Sequence, residues 1–274
     1  MKQMVKIELE RAFRSMSFKL SIIIGIIIVG IQFCREVIPA AINPIYWIKS
    51  NTLQVPANAF ANSIIMGDGA YYTLFVRLIP ILATIPYAIT YYTDNKKGIV
   101  KNYYSRTKKI NYLIAKFIAV FTTGGTAAVF PLALNVFVSA AVLPSFMIIN
   151  GETTCNGNGM WSYILYSHPY IYFIMYFILQ FICAGLLATV SLVISMYVNN
   201  VFIVLLFPSV LCEFLNAVAR WFPTKILRFT APWRLFRIDQ IAVNLWQSYL
   251  VFILVILFFD IVVYIRRGVK DDVL

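Results

Sequence analysis

Long apolar runs, separated by shorter polar segments, extend along the whole chain. Six of these runs are predicted to form helices that cross a membrane, because about 20 apolar residues in an α-helix span its hydrocarbon core. They lie at about residues 18–38, 70–92, 110–143, 169–197, 201–221 and 245–265. The pattern therefore predicts an all-α, polytopic membrane protein with six transmembrane helices in residues 18–265.

The third run is longer than a single simple crossing requires. Its 34 residues would reach about 50 Å as a helix, whereas the hydrocarbon core is about 30 Å thick. We expect this helix to begin outside the membrane, and we interpret the small residues 124–128 as a close contact with another helix. Pro80 and Pro86 in the second run each free a backbone carbonyl that another part of the protein must satisfy.

Residues 1–17 are predicted to form an amphipathic helix on the cytosolic surface of the membrane. The residues on its apolar arc are Val5, Leu9, Ala12, Phe13 and Met16. The alternative is a cleavable signal peptide, which the acidic residues Glu8 and Glu10 disfavour. At the other end of the chain, residues 266–274 begin with Arg266 and Arg267 and are predicted to be a cytosolic tail.

The segment between the second and third runs, residues 92–116, is called the basic loop below. It contains seven of the 23 Lys and Arg residues, and basic residues near the ends of spans stay on the cytosolic side. Asp94 is predicted to be the N-cap of a short helix within it. One side of that helix would carry Ile99, Val100, Tyr103 and Tyr104, a surface suited to a groove on another protein. A solvated loop that only sets the topology remains the alternative.

Residues 222–243 conflict with the simplest topology. They contain Lys225, Arg228, Arg234 and Arg237, which the distribution of basic residues would place in the cytosol, whereas six spans with cytosolic termini place them outside. Because these residues alternate with large apolar ones, we interpret the segment as amphipathic elements at the outer membrane interface.

Composition excludes a soluble globular domain. The chain is 61% hydrophobic with a mean hydropathy of +0.80, whereas ordinary domains are about 45–50% apolar. The net charge of +12 does not indicate nucleic-acid binding, because the basic residues flank apolar spans. Cys34 and Cys155 both fall near the predicted outer face, so a disulfide between them stays open.

Few residues could perform chemistry. No phosphate-binding G-x-x-x-x-G-K-[ST] motif, metal-ligand motif or catalytic set is present, so neither an enzyme nor a cofactor is expected. The candidates for a transport pathway are Glu213 and Asn216 in the fifth run and Arg77 in the second, because charges within spans usually face a cavity or a partner. A structural ion pair between Arg77 and Glu213 is the alternative. Asp260 is expected to pair with nearby Arg266.

The chain resembles the permease subunits of ABC-2-type transporters. The resemblance is carried by a proline-bearing second span, then Asp94, Gly98, Ser105-Arg106, Tyr112 and Lys116, and by the N-terminal segment KIELERAFRSMSFKL. It implies a cytosolic coupling helix between spans two and three that docks on a separate ATPase. The coupling residues that it implies are Asp94, Gly98, Ile99, Val100, Tyr103, Tyr104 and Arg106.

The resemblance also implies the partners and the location. Two copies of an ABC ATPase would carry ATP and magnesium, and a second permease, identical or homologous, would complete the transporter in a bacterial cytoplasmic membrane. The substrate class it implies is an amphipathic molecule such as an antimicrobial peptide, moved out of the cell. Export of drugs or lipids is an alternative, as is an ATP-independent channel or secondary transporter.

Overall fold

The computed structural model describes residues 1–42, 57–66, 69–148, 159–221, 232–238 and 246–270. Within these ranges every regular element is a helix, which confirms the predicted all-α class. The first helices in chain order are α1 (Lys2–Phe13), α2 (Met16–Ile42, with a π-helical turn at Phe33–Val37), α3 (Ala70–Thr84), α4 (Thr90–Lys96), α5 (Ile99–Arg106) and α6 (Lys109–Val142). They are followed by α7 (Ser162–Ser167), α8 (Pro169–Ile194), α9 (Val201–Trp221), α10 (Pro232–Phe236) and α11 (Trp246–Lys270).

Five of the described helices are long and apolar enough to cross a membrane, namely α2, α6, α8, α9 and α11. They indicate a multi-pass membrane protein. The second predicted span is not one continuous helix. Its α3 part has 15 residues, about 22 Å, which is shorter than the hydrocarbon core. The chain turns at residues 85–89, around Pro86, before α4 begins.

Helices α6 and α8 form the centre of the bundle, and glycines let them approach closely. Gly125 of α6 lies against the backbone carbonyl of Phe181, and Gly185 of α8 lies against that of Phe121. A methyl group built at either glycine would be less than 3 Å from the opposing carbonyl oxygen. The close contact predicted for residues 124–128 is therefore confirmed. Helix α6 is continuous through these residues.

Two prolines in the bundle are each compensated by a serine from another helix. Pro86 has no N–H to bond the carbonyl of Leu82 four residues earlier, and the Ser21 hydroxyl of α2 donates to that carbonyl at 2.6 Å. Pro208 of α9 frees the carbonyl of Val204 in the same way, and Ser191 of α8 donates to it. These bonds supply the partners that the proline positions require within the protein.

The ends of several predicted elements differ from the structure. The buried side of α1 consists of Met4, Glu8 and Ala12, whereas the predicted apolar residues Phe13 and Met16 are exposed. Because α1 packs along α6, only part of the predicted arc is exposed, and its contact with the membrane surface stays a prediction. At the other end, α11 continues to Lys270, so the predicted tail begins as part of a helix.

Part of the segment predicted to lie at the outer interface is buried. Leu235, Phe236 and Ile238, in and just after α10, are each at most 1% exposed. The Phe236 carbonyl accepts hydrogen bonds from Tyr72 of α3 and Tyr176 of α8, so this short helix is inserted between them. Residues 232–238 therefore pack against the protein, and their position at the outer interface stays a prediction. The rest of the segment lies outside the described residues, and so does Cys155, so the disulfide between Cys34 and Cys155 stays open.

Candidate functional site

A cluster of four charged side chains lies where α1, α4 and the first turns of α6 meet. Its members, Glu8, Arg11, Asp94 and Lys116, are called the ionic cluster below. Glu8, Asp94 and Lys116 are at most 1% exposed, and Arg11 covers the cluster from its solvent side at 36% exposure. The cluster joins the N-terminal helix, the basic loop and the long central helix at one point.

Asp94 is held from two directions. The Arg11 guanidinium donates to both of its carboxylate oxygens, with Nη1–Oδ2 at 2.8 Å and Nη2–Oδ1 at 2.5 Å. Lys116 Nζ donates to Oδ2 at 2.7 Å, and the Tyr112 hydroxyl lies 3.3 Å from the same oxygen. A two-pronged guanidinium–carboxylate pair fixes orientation as well as distance. Asp94 therefore fastens the basic loop to both α1 and α6.

Lys116 is the central cation of the cluster and is fully buried. Besides Asp94, it donates to Glu8 Oε2 at 3.2 Å, and the Tyr87 hydroxyl donates to the same oxygen at 2.7 Å. Its ammonium group also lies 4.4 Å from the centroid of the Tyr87 ring and 5.7 Å from that of Tyr112. Aromatic faces attract a desolvated cation, so these rings compensate part of the hydration that Lys116 gives up.

The four charges balance, since two carboxylates face two cations. Burial by itself raises the pKa of Asp94, but the hydrogen bonds and charges of Arg11 and Lys116 outweigh it, so this pKa lies below its ordinary value. The hydrogen bond to Asp94 raises the pKa of Arg11 despite partial burial. The ionised forms therefore stabilise one another, and the cluster connects three helices.

The basic loop contains a short helix, but its geometry differs from the prediction. Asp94 lies inside α4 and is not an N-cap. Instead Gly98, with φ of 70°, makes the sharp turn immediately before α5. A side chain with a Cβ is strained at this φ, which accounts for glycine here. The predicted N-cap role of Asp94 is wrong because its carboxylate bonds Arg11 and Lys116 rather than a helix N-terminus.

The aromatic side of α5 faces the protein itself. Val100 is fully buried, Tyr103 stacks on Tyr112 of α6 with ring centroids 5.2 Å apart, and Tyr104 meets the same ring edge-on. The surface of α5 that remains exposed is polar and consists of Lys101, Asn102 and Ser105. Ile99 is partly buried. A partner that docks on α5 would therefore meet this polar side rather than the tyrosines.

The predicted pathway residues are not brought together. Arg77 of α3 and Glu213 of α9 are both exposed, and neither takes part in an ion pair within the described ranges. The alternative of an Arg77–Glu213 pair is therefore wrong. Asn216 lies on the buried side of α9, 5% exposed, whereas Glu213 points away from the bundle among exposed apolar side chains. A role of Glu213, Asn216 and Arg77 in transport stays a prediction.

Asp260 does not bond to Arg266 as expected. It is fully buried in α11 and contacts the hydroxyl of Thr189 on α8, while Arg266 is exposed further along the same helix. The pairing failed because the two residues, six positions apart, do not share a helix face.

Sequence reasoning found Asp94, Tyr112 and Lys116 but missed Glu8 and Arg11. The one signal available for Glu8 and Arg11 was their spacing of three residues, which places both on one side of α1. Charged residues on an N-terminal helix are usually solvated, so nothing in the pattern distinguished these two. No group of three His, Cys, Asp or Glu residues suited to a metal occurs in the part of the chain that the structure describes.

No protein-family model, curated protein or solved structure matches this chain.

Proposed function

We propose that this chain is the permease subunit of an ATP-driven exporter of the ABC-2 type, with hydrolysis carried out by a separate ATPase. The observation that carries the proposal is the ionic cluster. A loop that only sets topology needs no buried anchor, whereas Asp94 of the basic loop is held within 2.8 Å of both Arg11 and Lys116. The loop is therefore built to transmit force to α1 and α6.

The proposed mechanism proceeds through the ionic cluster. ATP binding closes a pair of ATPase subunits, and the exposed side of α5 moves with the ATPase that contacts it. Because α5 stacks on α6 through Tyr103 and Tyr112, and α4 is fastened to α1 and α6 by Asp94, the movement reaches the bundle as a displacement of whole helices. Such coupling is a free energy shared between two sites, the ATPase contact and the substrate pathway.

The topology proposed for this function has six spans with both termini in the cytosol of a bacterial cell. The second span, which completes the six, is supplied by α3 together with the turn at Pro86 and the start of α4, which add to the 15 residues of α3. This arrangement places the basic loop and its ionic cluster on the cytosolic side, where an ATPase would lie.

A second permease subunit, identical or homologous, completes the proposed transporter. Helix α9 is mostly exposed, and Glu213 lies on that exposed side beside Val210 and Phe214, both 62% exposed. A charged group facing lipid near the middle of a span is costly. The second subunit is proposed to cover this side of α9, so that Glu213 lines the space between the two subunits. The proposed cargo is an amphipathic molecule such as an antimicrobial peptide.

The exposed side of α5 gives a direct test. We expect the double substitution Lys101→Glu and Ser105→Glu to abolish co-purification of the ATPase encoded beside this gene and the ATP hydrolysis that the complex stimulates. Both residues are exposed, so the fold is expected to remain intact. The matched control is Lys2→Glu with Gln3→Glu, which makes the same charge changes on exposed positions of α1.

Tyr103→Ala is a poorer test, because it removes the stack on Tyr112 and so changes the loop itself. Unchanged ATPase binding in the Lys101/Ser105 variant would contradict the proposed docking side. Transport at full rate in vesicles that contain this chain alone would contradict the whole proposal, and would favour an ATP-independent channel or secondary transporter.

A further inference from the structure

Asp260 is a carboxyl group buried in the middle of a candidate span. It lies in α11, none of its surface is exposed, and one carboxyl oxygen, Oδ1, has no hydrogen-bond partner among the residues that the structure describes. Its other oxygen, Oδ2, lies 2.6 Å from the hydroxyl oxygen of Thr189 on α8. A carboxylate buried in this way, with one neutral contact, is strongly disfavoured unless a cation accompanies it.

The described groups around Asp260 do not supply such a cation. On α8 the neighbour is Thr189. On α6 the Leu113 carbonyl accepts a hydrogen bond from Tyr264 of α11, and the Phe117 ring meets the Tyr264 ring. Lys116 of α6 is directed at the ionic cluster. At the end of α11, Arg266 is exposed and the Arg267 guanidinium lies over the Tyr197 ring. Within the described ranges, the ion pairs involve only members of the ionic cluster.

Both short contacts of the Thr189 hydroxyl are satisfied as hydrogen bonds when Asp260 is protonated. The Thr189 hydroxyl oxygen lies 2.7 Å from the Leu186 carbonyl and 2.6 Å from Asp260 Oδ2. The hydroxyl has one hydrogen, and the carbonyl can only accept. If the hydroxyl donates to Leu186, the short contact with an ionised Asp260 would join two acceptors. A protonated Asp260 donates to the Thr189 oxygen instead, and both contacts become ordinary hydrogen bonds.

We propose that Asp260 is a proton-binding site of the helix bundle, occupied in this conformation as a neutral carboxylic acid that donates its proton to Thr189. The contact joins α11 to α8. Separation of these helices would admit water to Asp260 and let it release the proton, because hydration favours the charged form. The site is independent of the ATPase contact and does not require the proposed exporter function.

Infrared difference spectroscopy tests this directly. The purified full-length chain in lipid vesicles at pH 7 is expected to show the C=O stretching band of a protonated carboxyl group, amounting to one group per chain, that is lost in Asp260→Asn. In Thr189→Val the band is expected to remain but to move to higher frequency, because the carboxyl loses its acceptor. Glu10→Gln changes a carboxyl residue at an exposed position of α1 and should leave the band unchanged.

Two spectroscopic results would overturn the proposal. One is a wild-type spectrum that matches Asp260→Asn in this region at pH 7, which would show an ionised Asp260. The other is a band that appears only when sodium and potassium are removed, which would show that a metal cation occupies the site. Asp260→Asn is expected to fold as the wild type does, since it replaces a neutral acid by a neutral amide of the same shape. Failure of this variant to fold while Asp260→Glu folds would also count against a neutral acid.

Discussion

Lys116 is a fully buried lysine surrounded by two carboxylates and two aromatic rings, in a chain whose other basic residues mostly lie near span ends. Its position is tolerated because the charges in the ionic cluster balance and every member has a partner. Such clusters contribute little net stability compared with an apolar core, but removal of one member leaves an uncompensated charge. The cost of a substitution here therefore measures the desolvation of the partners that remain.

Asp94→Asn is expected to lower the free energy of unfolding by about 3–5 kcal/mol, because Arg11 and Lys116 lose a carboxylate partner and only Glu8 remains. The measurement is equilibrium unfolding in detergent. The control, Lys97→Gln, alters an exposed position of the same loop and is expected to have no measurable effect. The double variant Asp94→Asn with Lys116→Gln should cost less than the sum of the two single changes. Additive costs would contradict a direct Asp94–Lys116 interaction.

The same carboxylate predicts a pH dependence. The pKa of Asp94 in the folded protein lies below its ordinary value of 3.8, so the unfolded chain binds more protons in acid. Its contribution to stability is therefore complete above about pH 5 and is lost as the pH falls through the folded-state pKa. We expect the stability difference between the wild type and Asp94→Asn to be constant from about pH 5 to 7 and to decrease below 3.8. A difference that decreases with rising pH would mean the opposite sign of shift.

At the scale of the helices, close packing of α6 on α8 depends on glycines that have opposing backbone carbonyls. A Cβ at Gly125 would lie 2.7 Å from the carbonyl oxygen of Phe181, so the helices must separate to accommodate it. We expect Gly125→Ala to cost about 1–3 kcal/mol of unfolding free energy. Gly30→Ala in α2 is the matched control, because a Cβ there meets nothing within 4 Å. Equal effects of the two substitutions would show that helix propensity, rather than packing, decides the result.

The proline–serine pairs make a second prediction for the helices. Ser21→Ala leaves the Leu82 carbonyl, freed by Pro86, without its donor inside the bundle. The expected cost is about 1–3 kcal/mol, the penalty for an unsatisfied buried polar group. Ser17→Ala, at an exposed position on the same helix, should be neutral in the same unfolding experiment. If Ser21→Ala is also neutral, the carbonyl has another partner.

For the whole molecule, the proposed topology is tested by chemical labelling from one side of the membrane. In a chain without other cysteines, Lys97→Cys in the basic loop is expected to react with a membrane-impermeant maleimide only after cells are permeabilised, since basic loops remain cytosolic. In a separate variant that keeps Cys34 as its one cysteine, Cys34, exposed towards the other end of α2, is expected to react in intact cells. Reaction of Lys97→Cys in intact cells would place the loop outside and contradict the coupling role.

Much of the helical framework could be read from the pattern of residues. The apolar runs predicted helices α2, α6, α8, α9 and α11, because burial in lipid and burial in a bundle both select apolar residues over a whole helix length. The second run was read as one helix. Its division after Thr84 is accompanied by bonds to two other helices: Ser21 of α2 donates to the Leu82 carbonyl, and Thr84 donates to the Leu205 carbonyl of α9. No local pattern reveals these contacts.

Only two of the four members of the ionic cluster could be predicted from the sequence, for a related reason. Asp94 and Lys116 lie on the two sides of one loop, and a sequence motif connected them. Glu8 and Arg11 come from a helix more than 80 residues earlier, where the pattern favoured contact with the membrane rather than with α6.

The residues alone therefore indicated that this protein lies in a membrane, since its helices are long and apolar enough to cross one. They also determined where its basic loop lies between the spans. Only the tertiary structure decided which polar groups meet inside: Arg11 with Asp94, Ser21 with the carbonyl freed by Pro86, Asp260 with Thr189. The physical reason is that hydrophobic burial depends on the amount of apolar surface, whereas a hydrogen bond or ion pair depends on distances between atoms that are remote in the chain.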